Sequence, residues 1–110
     1  MASRQDTATF ILEQLGRPDR FSVRPMFGEF ALYADGKVVG LICNDQLYVK
    51  VLHESSGLER TAERAAPFPG AKDYYLVPEG GISGHRSLPD VLIRMAAVLP
   101  YPKAKKTKRR

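Results

Sequence analysis

A chain of 110 residues with 44% apolar and 26% charged side chains has the composition of one small globular domain, with no room for a second. Its formal charge of +5 is unevenly placed: Lys103 to Arg110 holds six basic residues and no acid, and the remainder carries 11 basic against 12 acidic side chains, a net of −1. The basic balance alone therefore does not make the folded part a nucleic-acid binder, and the chain divides into a domain over 1–102 and a basic tail over 103–110.

The first predicted element opens at Ser3, whose hydroxyl suits an N-cap, and Ala8, Ile11, Leu12 and Leu15 follow at near-helical spacing until Gly16 and Pro18 end the run. A helix of about twelve residues is expected there. From Phe21 to Val51 the texture becomes β-branched and aromatic, broken by the turn dipeptides Asp35-Gly36 and Asn44-Asp45. This predicts a three-stranded antiparallel meander with strands over 27–34, 37–43 and 46–51, Asp35-Gly36 being the stronger hairpin signal because a type I′ turn needs positive φ twice. Gly28, between two phenylalanines at the strand entrance, is expected to pack closely or take an unusual φ. The longest apolar stretch, Val38 to Cys43, is six residues against about twenty for a membrane span. In the third strand Leu47, Val49 and Val51 alternate with Tyr48 and Lys50, the pattern of a strand with one buried face.

Ser56 as cap, Glu59, and Leu58, Ala62 and Ala65 at helical spacing predict a second helix stopped by Pro67 and Pro69. Tyr74 to Val77 reads as a fourth strand, 78–84 as a glycine-rich loop, and Ser87 onward as a last helix with Leu88, Leu92, Met95 and Leu99 buried. The order αβββαβα implies a two-layer α+β fold with a mainly antiparallel sheet.

Chemistry needs scarce residues brought together, and these are sparse. His53 and His85 form no metal-spaced pair, the single Cys43 excludes an intrachain disulfide and a cysteine-rich zinc site, and Gly80 to Gly84 lacks a phosphate-loop lysine. No catalytic residue, metal or cofactor is expected; the rival reading is a small enzyme or ligand binder that pairs Cys43 with one of the two histidines. The first thirty residues contain no secretory apolar block, and one free thiol suits a reducing cytoplasm, the expected compartment.

The aromatics are better placed. Tyr33, Tyr48, Tyr74 and Tyr75 fall on or beside strands, and Arg24-Pro25-Met26-Phe27 sets a cation, a thioether and a ring at the sheet entrance. Side chains of these types concentrate in interface cores, so Arg24, Met26, Phe27, Tyr33 and Tyr48 are the candidate partner-binding residues. A thin sheet with few helices also predicts a homodimer, which would cover its second face. In the tail, Lys103, Lys105, Lys106, Lys108, Arg109 and Arg110 are candidate phosphate contacts for weak, sequence-independent nucleic-acid binding. The tail has too little apolar surface to order itself and is expected to be disordered in isolation.

Arg24-Pro-Met-Phe-Gly28, Leu32-Tyr33-Ala-Asp-Gly36-Lys37 and Leu47-Tyr-Val-Lys-Val51, followed by Tyr74-Tyr75 and a closing leucine-rich helix, resemble the N-terminal domain of the TfoX/Sxy family. The likeness runs from about residue 24 to 99. Glu29 and Ala31 stand where that family commonly has glycine, and a basic tail follows where full-length members carry a second domain. The resemblance implies a two-layer α+β fold similar to secretion chaperones. It also implies a non-enzymatic role linked to competence and transcription regulation, with the transcription machinery as a partner, and brings no catalytic residues.

Overall fold

The computed structural model describes residues 5–26, 29–60, 62–78 and 88–100. Ser3, Phe27, Gly28, the 79–87 segment with His85, and the 103–110 tail lie outside them, so the expectations for Gly28, for the glycine-rich loop and for the tail are not addressed by the fold. The described elements are α1 (Gln5–Leu15), β1 (Phe21–Met26), β2 (Glu29–Ala34), β3 (Lys37–Cys43), β4 (Gln46–Val49), a 3-10 helix (His53–Arg60), β5 (Glu63–Ala65), β6 (Tyr74–Val77) and α2 (Leu88–Val98). The six strands form one sheet in the order β1-β2-β3-β4-β6-β5, antiparallel at every pairing. The fold is α+β with helices on one side, as the element pattern implies.

Helix α1 buries Ala8, Ile11 and Leu15 and closes where Gly16 takes φ +68° and donates its N–H to Leu12 O at 3.1 Å. This left-handed closure satisfies a carbonyl at the helix end, with glycine taking the positive φ at no Cβ cost. Both hairpins are as tight as their dipeptides predict. Asp35 and Gly36 have φ 52° and 82°, Asn44 and Asp45 have 56° and 61°, which is the type I′ signature that matches strand twist. Helix α2 lays Leu88, Val91, Leu92, Met95 and Ala96 on the sheet, and Lys37 Nζ donates to the Ala96 carbonyl at 2.8 Å, placing a cation at the negative end of the helix dipole.

Two strands exceed the expected order. Phe21–Met26, which precedes the first expected strand, is a strand in its own right and pairs with β2 over its whole length. The expected second helix is shorter and tighter: a 3-10 helix ends at Arg60, and Glu63–Ala65 pairs with β6 instead of continuing the helix. The reason lies in the packing. Only Leu58 of that segment's apolar residues is fully buried, and an isolated helix with one anchor does not outweigh a strand edge offering backbone partners. Ser55, not Ser56, organises the turn: its hydroxyl donates to Lys50 O at 2.7 Å and accepts the Leu52 N–H at 2.9 Å, which leaves it satisfied although fully buried. The 3-10 helix is tied down by Glu59 Oε2, which accepts from Arg64 Nε at 3.0 Å and from the Tyr75 hydroxyl at 3.1 Å.

The sheet edges are blunted against further pairing. Asp35 N–H donates to Arg20 O at 2.8 Å, so by antiparallel alternation Ser22, Arg24 and Met26 direct their backbone groups to β2, and Phe21, Val23 and Pro25 direct theirs outward. Proline removes one outward donor, and the Phe21 N–H is already given to Arg17 O. At the opposite edge β5 is three residues long and carries Glu63 and Arg64, two of the usual ways of blunting an edge.

The Arg20 guanidinium grips Asp35 with two hydrogen bonds, Nη2 to Oδ2 at 2.7 Å among them. These bonds hold the Asp35 carboxyl below its ordinary range, and the bonds from Arg64 and Tyr75 do the same for Glu59. A carboxyl whose pKa is depressed by folding stabilises the fold above its unfolded value, near pH 4, and the gain is lost as pH falls through the folded value. Melting temperature is therefore expected to hold from pH 7 to about 5 and fall below about 4. Asp35→Asn, which keeps the turn's left-handed tolerance, should show a shallower acid decline in thermal melts from pH 7 to 3. Parallel declines for variant and wild type would remove Asp35 from the account.

Candidate interaction face of the sheet

Antiparallel alternation sorts the strand residues onto two faces, and the two apolar clusters follow it. One cluster joins α1, α2 and the 3-10 helix to Phe21, Phe30, Leu32, Ile42, Leu47, Val49 and Tyr75. The other consists of strand residues alone: Ala31, Leu41, Cys43 and Tyr48 at the centre, with Met26, Tyr33, Val38, Ala65, Tyr74 and Leu76 packed around them. No described helix contributes to this second face.

Its central row can be traced across all six strands, because each residue opposes the next: Arg24, Ala31, Leu41, Tyr48, Leu76 and Glu63. Ala31 is 1% exposed and Leu41 5%, so small side chains at the centre are enclosed by the large ones around them. The Arg24 guanidinium lies 5.6 Å from the centroid of the Tyr33 ring, a cation over an aromatic face. The Tyr48 hydroxyl donates to Gln46 Oε1 at 3.3 Å, and Asn44 N–H donates to Glu29 Oε1 at 3.1 Å. Burial pushes the Tyr48 and Tyr74 hydroxyls above their ordinary values, and burial together with Lys72 pushes Lys50 down.

Of the five residues expected to meet a partner, Arg24, Met26, Tyr33 and Tyr48 share this face; Phe27 lies outside the described residues. Sequence reasoning passed over Leu41, Leu76 and Glu63. Period-two spacing within Tyr74–Val77, where Tyr74 and Leu76 join this face while Tyr75 and Val77 join the helix side, is the signal that finds Leu76.

The structure does not bring Cys43 and His53 together, and His85, the other histidine of the alternative catalytic pair, lies outside the described residues. Cys43 stands opposite Gln46, the first residue of β4, and His53 follows the far end of that strand. The thiol is buried, and its pKa is raised by that burial and by Glu29, the reverse of what an activated nucleophile requires. Among the described residues no three of His, Cys, Asp and Glu gather to hold a metal ion, and no helix is long and apolar enough to cross a membrane.

A helix layer on one side of an all-antiparallel sheet, with an aromatic second side, defines a two-layer α+β fold. The sequence model of the family described as TfoX N-terminal domain matches residues 13–97, and the chain belongs to that family. It is also 38% identical over 108 residues to an uncharacterized 12.7 kDa protein encoded in the trpE 5′ region of Spirochaeta aurantia, an alignment covering 98% of this chain and 93% of the relative.

Proposed function

We propose that this chain is a non-catalytic protein-interaction module that works through the helix-free face of its sheet, with Arg24, Met26, Tyr33 and Tyr48 in the contact. One observation carries the reading: an apolar, aromatic cluster built only from strand residues, with no described helix upon it. Tyrosine, methionine and arginine together are the composition of an interface centre, and the blunted sheet edges leave the face as the better route to a partner. Membership of the TfoX N-terminal family supports a role in regulation, with the transcription machinery as a partner, and the free Cys43 thiol suits the cytoplasm.

A photo-crosslinking side chain at Tyr33, with the same group at Glu13 on the exposed side of α1 as control, tests the surface without presuming the partner. Adducts formed in the host at position 33 and not at 13 are the expected result. Equal labelling at both positions, or labelling at 13 alone, would move the working surface to the helices and overturn the proposal.

A second activity is proposed for the tail. The charge is divided sharply, with six cations in Lys103 to Arg110 and a net −1 elsewhere, which supports a weak, salt-sensitive tether to nucleic-acid backbone through Lys103, Lys105, Lys106, Lys108, Arg109 and Arg110.

A further inference from the structure

The central row of the helix-free face has a property that its individual residues do not. It begins with a cation on the first strand of the sheet, Arg24, ends with an anion on the last, Glu63, and holds Ala31, Leu41, Tyr48 and Leu76 between them. Glu63 and Arg24 are both exposed, and neither shows an ion pair within the described residues.

We infer that the occupant of this face is a second copy of the same chain, related by a two-fold axis that runs parallel to the strands between β3 and β4. This deepens the interaction-module reading and rests on it. Such an axis turns one sheet face onto its copy with strand order reversed, so β1 lies over the copy's β5, β2 over its β6 and β3 over its β4. Arg24 then faces Glu63 of the second copy, and Glu63 faces the second copy's Arg24.

The same operation sets Ala31 beneath the copy's Leu76 and Leu41 opposite its Tyr48. Ala31, Leu41 and Tyr48 are already buried within one chain, so the apolar contact falls to the half-buried Leu76, Tyr33 and Tyr74 around them. In the neighbouring row Tyr33 on β2 faces Tyr74 on β6 of the copy. Sheets packed face to face lie about 10 Å apart with interdigitated side chains, a spacing that the half-buried rings of Tyr33 and Tyr74 can bridge. A two-fold contact is isologous, so every favourable pair occurs twice. Edge-to-edge pairing, the other common way for a sheet to dimerise, is opposed by Pro25 and by the short, charged β5.

Sedimentation equilibrium of the full chain, at low and high salt, tests the arrangement through a charge exchange. The wild type is expected to form dimers that weaken as salt rises. Arg24→Glu and Glu63→Arg, each setting like charges together twice, should each lower the dimer association constant by about a hundredfold. The double variant Arg24→Glu/Glu63→Arg should restore it to near the wild-type value. Both positions are exposed, and a cooperative melt with a wild-type circular-dichroism spectrum confirms that the single variants fold, whatever the small fall in melting temperature from the weaker dimer.

Dimers indifferent to the single exchanges, or not recovered in the double variant, overturn the proposed axis. A chain monomeric at every concentration overturns the second copy as occupant. In that case adducts from Tyr33 to a different protein or to nucleic acid would identify what covers the face, whereas no adducts at Tyr33 at all would remove the interaction-face reading as well.

Discussion

Replacing Gly40 with alanine is expected to destabilise the domain by about 3 kcal/mol, at the upper end of overpacking costs. In a domain of this size that corresponds to a drop of about 15 °C in melting temperature. The cause is a backbone contact between neighbouring strands. A Cβ built on Gly40 overlaps the carbonyl oxygen of Tyr48 and comes to 3.4 Å from Val49 Cα. Neither neighbour is the movable end of a side chain, so relief requires β3 and β4 to separate, and the hydrogen bonds between them then lengthen.

Gly40 lies beside an irregularity that makes the close approach necessary. Leu32 stands opposite Gly40, but Tyr33 stands opposite Val38, so Val39 is an extra residue on β3. A bulge of this kind kinks the strand and increases its local twist. Val39 O accepts Lys50 N–H at 3.0 Å, and the Val39 side chain is fully buried on the helix side. Gly57, in the 3-10 helix, has open space where its Cβ would be, and Gly57→Ala should change stability by less than about 0.5 kcal/mol. Thermal melts of the two variants side by side are decisive. A Gly40→Ala protein melting within about 3 °C of wild type would mean that the strands move apart at little cost.

The bulge also explains why the faces of β3 were not legible in the sequence. Strict alternation along Lys37–Cys43 places Val39, Leu41 and Cys43 on one face. The extra residue shifts the phase, so Val39 joins the helix side and Leu41 and Cys43 join the opposite one. Nothing in Val38-Val39-Gly40-Leu41 announces the shift except the glycine. The hairpins, by contrast, were fully legible, since Asp35-Gly36 and Asn44-Asp45 tolerate the positive φ that a two-residue turn demands. The end helices were legible in their main stripe, Ala8, Ile11 and Leu15 in one and Leu88, Leu92 and Met95 in the other, whereas Leu99, expected to be buried, lies past the helix end and is half-buried.

The segment after His53 misled for a different reason. Leu58, Ala62 and Ala65 lie at helical spacing, yet their burial is decided by a long-range partner, because Ala65 stands opposite Tyr74 on β6. Local periodicity carries no information about such a pairing, and tertiary context overrode it. The candidate face has the same character. Arg24, Tyr33 and Tyr48 were individually conspicuous as aromatic or cationic residues near turns. Their sharing of one face, and the reach of its central row to Glu63, follow from pairings across all six strands.

Truncation after Pro102 is expected to abolish nearly all nucleic-acid binding, while the folding of the domain is unaffected. The tail contributes six cations, and the rest of the chain has a net charge of −1, so the remaining domain is expected to attract polyanions weakly at best. If all six cations contact phosphates of duplex DNA, the logarithm of the binding constant falls against the logarithm of salt concentration with a slope of about −5, which costs about a thousandfold in affinity between about 50 and 200 mM. No aromatic residue lies within Lys103 to Arg110 to stack on bases, so affinities for unrelated sequences should agree closely. Fluorescence anisotropy of labelled duplex DNA and RNA at several salt concentrations, with the full chain and with one ending at Pro102, measures both the slope and the loss. The face and the tail make separable predictions, because Arg24→Glu removes one cation from the sheet and none from the tail. Equal binding by the full and truncated chains would transfer the polyanion site to the folded surface, and a further loss on Arg24→Glu would place it on the sheet face that the second copy is inferred to occupy.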